Sequence, residues 1–433
     1  MPDIGQPAAS SDRLLGAGTE DVRRRNLSAL LRHVHVRGPS SRSELTVATG
    51  LNRSTIATLV AELMARGLVR ERLPDPRGAP GRPSPLVEVR HDGVAVLATE
   101  IFADSLAAAV VGLGGRVLAH RRVDRTRAWR SPEATVAELA GVARALIEDG
   151  PPERRIVGVG VTVAGLVRLA DGFVAIAPPL GWRDVALASL VRSALPIDAP
   201  VHVGNDADLA ALAEHTRGAG AGQDDFLLLW GEVGVGGGIV ANGRAVLGRT
   251  GYAGEVGHLP VDPEGAVCPC GSRGCWETRV GEDALLRLAG LSDRPDARQA
   301  VDEVLAGAAA GDARALAAVS EVGRWLGIGL AGLVNVLAPG RVALAGVLAR
   351  LYPHVREVVA RELDRRVMAA PRADIEIVAA ELGAEGPLLG AAELAWSPIL
   401  DDPTTVPVLV TGREGRSWRR SRAMEEVMPG RPR

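Results

Sequence analysis

The stretch HLPVDPEGAVCPCGSRGCWE, residues 258–277, contains all three cysteines of the 433-residue chain. His258, Cys268, Cys270 and Cys275 offer one imidazole nitrogen and three sulfurs, and Cys3His is a common ligand set of structural zinc sites. Because four protein ligands leave no open position for water, the pattern predicts one structural zinc ion per chain without a catalytic role. The alternative is three reduced, buried cysteines without a metal, and the C-P-C-G-x-x-G-C spacing disfavours it.

Two segments upstream of this stretch each allow two interpretations. Asn205 and Asp206 follow an apolar run and precede a helical pattern, so they could cap a helix or line a site at a strand end. The glycine-rich segment GEVGVGGGIVANG, residues 231–243, could cradle a phosphate or form a hairpin that another backbone approaches closely. Its central glycines are Gly234, Gly236, Gly237 and Gly238.

Composition defines the broad class of protein. Apolar residues make up 47% of the chain, which allows a sizeable core, and the length allows two or three domains. Three clustered cysteines do not suit a secreted disulfide framework. Neither a signal peptide nor a charge-free apolar run of membrane-spanning length is visible. We therefore expect a soluble cytoplasmic protein.

Positive charge is concentrated near the N-terminus. Residues 21–90 hold 13 Arg against 6 Asp or Glu, an excess of seven positive charges, whereas the whole chain carries −2. This asymmetry indicates nucleic-acid binding, although a basic surface is more often simply solvated.

The same segment has the pattern of a winged helix-turn-helix. Ser41 can cap a second helix and Asn52 a third, with Gly50 closing the turn between them, and two β-prone stretches around a Pro/Gly/Arg loop form a wing. A recognition helix enters the major groove by its N-terminal end. The predicted DNA-binding residues are Arg53, Ser54, Thr55 and Thr58 on the third helix and Arg77 and Arg82 on the wing. The alternative is a three-helix packing module with an arginine-rich surface.

From Val94 onward, apolar strand-like runs alternate with helices rich in Ala and Leu, which predicts an α/β architecture. Within it, GEVGVGGGIVANG, GYAGEVGH and CPCGSRGCWE together resemble the ROK family, named for repressors, open reading frames and sugar kinases. The resemblance extends from about Val94 to about Trp396 and implies a two-lobed, actin-like sugar-kinase fold. The N-terminal winged helix resembles the repressor branch of the family.

The resemblance and the charge pattern together give the expected domains. We expect a disordered N-terminus over residues 1–20 and a winged helix-turn-helix DNA-binding domain over 21–90. A ROK effector-binding domain is expected over 93–397, with its second lobe at about 205–380, followed by a C-terminal tail over 398–433.

The resemblance also implies roles for individual residues. Asp206 matches the general base of the kinases, and the zinc would hold the loop that carries His258 and Glu277 beside a sugar. The implied sugar ligands are Asn205, Asp206, Glu255, His258 and Glu277. The implied zinc ligands are His258, Cys268, Cys270 and Cys275.

One departure from the family argues against catalysis. Where the kinases have D-x-G-G-T around the ATP phosphates, this chain reads EIFAD, residues 100–104. Phe102 fills space that the backbone must leave for phosphate, and Asp104 repels the γ-phosphate. We therefore expect no enzyme activity, with Asp206 as a vestigial base. An ATP-dependent sugar kinase and a ROK domain that only dimerises are the alternatives.

These features predict a sugar-responsive repressor of carbohydrate-metabolism genes. Its expected partners are operator DNA and a sugar or sugar-phosphate effector, and it would act as a homo-oligomer, either dimer or tetramer. Sugar binding would close the two lobes and shift a linker around residues 72–92, which would change the spacing of the recognition helices.

Overall fold

The N-terminal part folds as three helices and a small antiparallel sheet. The computed structural model describes residues 18–73, 84–126, 130–152, 154–294 and 296–408. The helices are α1 (Thr19–Arg37), α2 (Arg42–Thr49) and α3 (Arg53–Ala65). The strands, β1 (Ser40–Ser41), β2 (Val69–Arg72) and β3 (Leu86–Val89), pair in the order β1-β3-β2. This is the arrangement of a winged helix.

Capping residues fix the turn between α2 and α3. Ser41 and Glu44 form a reciprocal capping box at the start of α2, and the Asn52 side chain accepts a hydrogen bond from the backbone N–H of Thr55. Gly50 ends α2 in the left-handed region, at φ 70°. The predicted wing residues Arg77 and Arg82 lie outside the described residues.

The first lobe is built on a five-stranded sheet of order β11-β7-β4-β5-β6, with a three-stranded sheet of order β10-β9-β8 beside it. The larger sheet contains β4 (Val94–Ile101), β5 (Ser105–Gly112), β6 (Arg116–Asp124), β7 (Arg155–Val163) and β11 (Val201–Asn205). The smaller contains β8 (Leu166–Arg168), β9 (Phe173–Ala177) and β10 (Trp182–Val185). The lobe's helices are α4 (Pro132–Glu148) and α5 (Leu187–Ala194).

The second lobe repeats this plan with a five-stranded sheet of order β14-β13-β12-β15-β16. Its strands are β12 (Phe226–Gly231), β13 (Val235–Ala241), β14 (Arg244–Ala245), β15 (Arg341–Gly346) and β16 (Glu376–Ala379). Its helices are α6 (Asp206–Arg217), α7 (Glu282–Ala289), α8 (Ala297–Ala309), α9 (Ala313–Leu337), α10 (Val347–Arg366) and α11 (Ala369–Asp374).

The last helix, α12 (Gly386–Asp401), crosses back to the first lobe and packs on β4, β7 and α6. It continues past the boundary that we expected after residue 397, and the short turn Pro403–Thr405 that follows it contacts α1. The residues after the expected boundary therefore belong, as far as Val406, to the folded body.

The winged helix and the first lobe share one apolar core. Buried side chains of α1, α3 and β3 are continuous with those of β4, β5 and α12. Within the expected linker around residues 72–92, residues 86–90 belong to this junction, because β3 is a strand of the wing sheet and the Arg90 N–H donates to the Leu68 carbonyl. Residues 74–83 of that linker lie outside the described residues.

One helix in the described ranges, α9, is long and apolar enough to cross a membrane by composition alone. Within its most apolar window, 61% of the residues are buried inside the protein. Its length and apolarity are therefore accounted for by its place in the core of the second lobe.

Candidate functional site

The cysteine-rich loop brings its four predicted metal ligands together. One ligand atom from each of His258, Cys268, Cys270 and Cys275 lies within 4.8 Å of every other. The Cys270 and Cys275 sulfurs are 3.7 Å apart, and the Cys268 sulfur lies 3.7 Å from Nδ1 of His258. Tetrahedral zinc, with bonds of about 2.3 Å to sulfur and about 2.0 Å to nitrogen, needs ligand separations of this size. The cluster can therefore hold a metal ion.

Turns and short bridges shape this loop. Val267 pairs with Arg273 and Pro260 with Cys275, which closes the chain around the three sulfurs. Gly274 has a positive φ of 71°, and a side chain there would overlap the backbone of Asp262. The buried Trp276 anchors the loop to α9 through a 2.8 Å hydrogen bond from its indole N–H to the Trp325 carbonyl.

The His258 ring connects the metal cluster to two carboxylates. Its Nδ1 faces the Cys268 sulfur and lies 3.5 Å from Glu277, whereas its Nε2 lies 3.7 Å from Glu255. Burial, followed by the hydrogen bond from the Cys268 thiol to Glu277, raises the pKa of Cys268 above its usual range. A cation bound by Cys268 must displace that thiol proton, and it would fix a ring whose other nitrogen points toward Glu255.

Asn205 caps helix α6. Its side-chain oxygen accepts hydrogen bonds from the N–H groups of Ala207 and Asp208, and its side-chain nitrogen donates to the Gly165 carbonyl. Asn205 is also the last residue of β11. It therefore both caps a helix and lies at a strand end, the two positions that the sequence allowed for the Asn205–Asp206 pair. The cap therefore fixes the first turn of α6 directly after the end of β11.

Carboxyl groups gather at this end of α6. Burial raises the pKa of Asp206 to about 6. Burial, reinforced by the charges of Glu255 and Asp206, raises the pKa of Asp208 to about 8. Burial also raises the pKa of Glu255, and the charges of Asp206 and Glu277 act in the same direction. Of the five predicted sugar ligands, Glu255 and Glu277 each lie within ion-pair distance of His258, and Asn205 and Asp206 lie together at the start of α6.

The glycines of β13 serve close packing. A side chain at Gly236 or Gly238 would collide with Ala207 or Ala211 of α6. One at Gly237 would collide with Val256, and one at Gly234 with the Glu277 carboxylate. Of the two interpretations of this segment, these contacts match the close approach of other backbone, which places α6 and the Glu255 loop against one sheet.

The EIFAD segment forms the end of β4 and a tight turn into β5. The Phe102 N–H donates to the Ser105 carbonyl, and the Arg125 guanidinium donates to the Phe102 carbonyl at 2.8 Å. Glu100 is 2% exposed and lies 3.6 Å from the Arg122 guanidinium. Burial raises the pKa of Glu100 to about 8, opposed by Arg122 and assisted by the charge of Asp206.

The predicted recognition residues lie together at the start of α3. Arg53, Ser54 and Thr58 are exposed and Thr55 is half-buried, whereas Ile56 and Leu59 of the same helix are buried. The hydroxyls of Ser54 and Thr58 bond locally, to the Asn52 side chain and the Ser54 carbonyl. This end of α3 therefore presents exposed polar side chains to the solvent.

One cluster escaped the sequence analysis. His35 of α1, Arg217 of α6 and Glu393 of α12 meet in the protein interior. The available signal was Glu393, a lone charge in the otherwise apolar run GPLLGAAELAW, residues 386–396. Its partners are 176 and 358 residues away in the chain, so no local pattern identifies them.

The fold and the grouped residues define the class: a two-lobed, actin-like sugar-kinase domain that follows a winged helix. The chain belongs to the ROK family, whose family model matches residues 96–397. Over 381 residues it is 28% identical to the xylose repressor of Bacillus subtilis, covering 88% of this chain and 97% of the repressor.

Solved structures show the same relationship. The crystal structure of a ROK family transcriptional regulator, a homologue of the E. coli MLC protein, aligns with a TM-score of 0.74 at 25% identity and covers 88% of this chain and 97% of its own. A ROK glucokinase from Streptomyces griseus, in complex with glucose and AMPPNP, aligns with a TM-score of 0.60 at 30% identity. It covers 99% of its own length but only 70% of this chain.

Proposed function

We propose that this protein is a sugar-responsive repressor of carbohydrate-metabolism genes. The observation that carries the proposal is the winged helix, which is joined to the ROK domain through one apolar core. The regulators among the relatives match 88% of the chain, whereas the glucokinase structure matches 70%, which supports a regulator over a kinase. Operator DNA is the proposed partner of α3 and the wing.

The effector of the proposed repressor is a monosaccharide or its phosphate, bound at Asn205, Asp206, Glu255, His258 and Glu277. Carboxylates and an imidazole suit the many hydroxyl groups of a sugar, because each can accept or donate a hydrogen bond. The relatives named for xylose and glucose support an aldose. Sugar binding releases the operator in this proposal.

Zinc is the proposed ion of the Cys3His cluster, one per chain. Thiolate and imidazole ligands at tetrahedral separations suit zinc, and four protein ligands close the site to water. When bound, the ion supplies structural order and no Lewis-acid chemistry. It fixes the loop between His258 and Glu277, two of the proposed sugar ligands.

A kinase is the second candidate, favoured by the match to the S. griseus glucokinase, which binds glucose and AMPPNP. The turn after Glu100 argues against it in this chain. Phosphoryl transfer depends on positioning the phosphates and stabilising their charge. Phe102 and Asp104 provide neither.

Two assays test the proposal together. A thermal-shift screen of pentoses, hexoses, amino sugars and their phosphates identifies the effector, since a ligand at 100 times its Kd stabilises the folded state by about 2.7 kcal/mol. A coupled kinase assay with ATP and magnesium then uses the same sugars. We expect a stabilising sugar and no turnover. Turnover of about 1–100 per second, abolished in Asp206→Ala, would establish the kinase instead.

A further inference from the structure

The polar cluster at the junction of the two domains joins four elements. Nε2 of His35 lies 2.9 Å from Glu393, and Nε of Arg217 donates to the other Glu393 oxygen at 2.8 Å. Arg217 also donates to the His35 backbone carbonyl at 3.1 Å. The Gly114 N–H, in the turn between β5 and β6, donates to Nδ1 of His35 at 3.0 Å.

These groups are buried in an otherwise apolar interface. His35 is 1% exposed and Glu393 is 7% exposed. Burial alone would raise the pKa of Glu393, but the hydrogen bonds from His35 and Arg217 and the charge of Arg217 hold it below its usual range. A well-packed apolar set is often as stable as a buried ionic one, so simple adhesion between the domains does not require these residues.

Helix α6 links this cluster to the proposed sugar site. Asp206 is its first residue and Arg217 its last, and twelve helical residues span about 17 Å. The helix has little freedom to bend between its two ends. A side chain at Gly390 of α12 would overlap the Leu209 backbone, and the glycines of β13 pack closely against the other face of α6.

We propose that Arg217, His35 and Glu393 transmit the state of the sugar site to the winged helix. In this relay, α6 moves as a rigid rod, Arg217 and Glu393 move with it, and the bonds to His35 carry α1 along. The three side chains are positioning residues, because they contact neither sugar nor DNA. The relay rests on the proposed function, since it assigns the path by which the sugar signal reaches the operator.

A binding experiment separates transmission from adhesion. The full chain first selects a DNA duplex from a random-sequence library, and fluorescence anisotropy then gives its Kd without sugar, with D-xylose and with D-glucose. Allosteric coupling commonly changes affinity by about 5–150-fold. We expect Arg217→Gln and Glu393→Gln to abolish the sugar dependence of the Kd while retaining sugar affinity and sugar-free DNA affinity. Arg217→Lys should recover part of the response.

The matched control is Arg32→Gln. Arg32 also joins α1 to α12, through an exposed ion pair with Asp401, but it makes no contact with α6. It should respond to sugar like the wild type. The relay is wrong if sugar changes the DNA affinity of Arg217→Gln as it does that of the wild type. It is also wrong if the sugar dependence of that variant falls only in proportion to its sugar affinity.

A second measurement needs neither DNA nor sugar. Asn205→Ala removes the cap of α6, and the relay predicts faster hydrogen exchange around His35 in this variant than in the wild type. The increase should disappear when Arg217→Gln is added. If the exchange around His35 does not change in Asn205→Ala, the relay is wrong. If the exchange around His35 increases in Asn205→Ala, but the wild type binds no DNA duplex or its DNA affinity does not change with sugar, the relay is supported and the proposed function is wrong.

Discussion

Glu100 is the first residue of the EIFAD segment, residues 100–104. It is buried at the end of β4, it is accompanied by Arg122, and Phe102 and Asp104 form the turn beyond it. A carboxyl group in this position folds most favourably in its neutral form, because burial penalises the charge. The protein thus carries a buried ionisable carboxyl group at the turn from β4 into β5.

Glu100 should make stability depend on pH. Its pKa rises from an ordinary value of 4.5 to about 8 on folding, so the native state binds the proton more tightly than the unfolded chain. Stability is therefore greatest below about pH 4.5 for this group and falls as pH rises toward 8, by at most about 1.4 kcal/mol per pH unit. We expect Glu100→Gln to raise Tm relative to the wild type at pH 8 more than at pH 5.

The control for this titration is Glu133→Gln, which changes an exposed carboxylate in the first turn of α4. Its Tm difference from the wild type should not change between the two pH values. If the Tm difference between Glu100→Gln and the wild type is also the same at both pH values, Glu100 is not a buried ionisable group.

The metal cluster gives a second prediction at the residue scale. Elemental analysis of the purified protein should find one zinc per chain, and Cys268→Ser should lower that content because one thiolate is lost from a four-ligand site. Glu264→Gln, on the exposed part of the same loop, serves as the control and should keep its zinc. If all three proteins contain the same substoichiometric amount of zinc, the prediction of a structural zinc ion is wrong.

At the scale of elements, local signals predict local structure. The capping residues of α2 and α3 and the apolar stripe of α3 could be predicted from sequence, because caps and helical spacing involve residues within a few positions of each other. The use of the β13 glycines could not be, since it depends on α6 and the Glu255 loop packing against the sheet. The His35–Glu393 contact joins residues that are 358 positions apart in the chain, so the local sequence around either residue does not indicate it.

The exposed end of α3 gives a prediction for DNA binding. Arg53→Ala should weaken binding of the selected duplex by about 1–3 kcal/mol and relax preference at one base position, if the guanidinium reads a base edge. Sugar affinity should not change. Arg356→Ala, an exposed arginine on α10 in the second lobe, is the charge-matched control. Equal affinities of Arg53→Ala and the control would place the recognition surface elsewhere.

At the scale of the whole molecule, the domains are parts of one packed body. The core that contains α1 and α3 continues into β4, β5 and α12, so the winged helix cannot turn freely on a linker. A ligand shifts such a body only by its difference in affinity between two arrangements. In the proposed repressor, sugar would therefore stabilise an arrangement in which the recognition helices no longer match the operator.

The most direct test of this account is the operator Kd with and without the sugar found by thermal shift, measured for the wild type and for Asp206→Ala. Asp206 lies at the start of α6, and its loss would remove a proposed sugar ligand without changing α3. We predict that sugar releases the operator from the wild type, and that Asp206→Ala binds the operator equally well with and without sugar. An operator affinity of Asp206→Ala that falls with sugar as in the wild type would contradict the account.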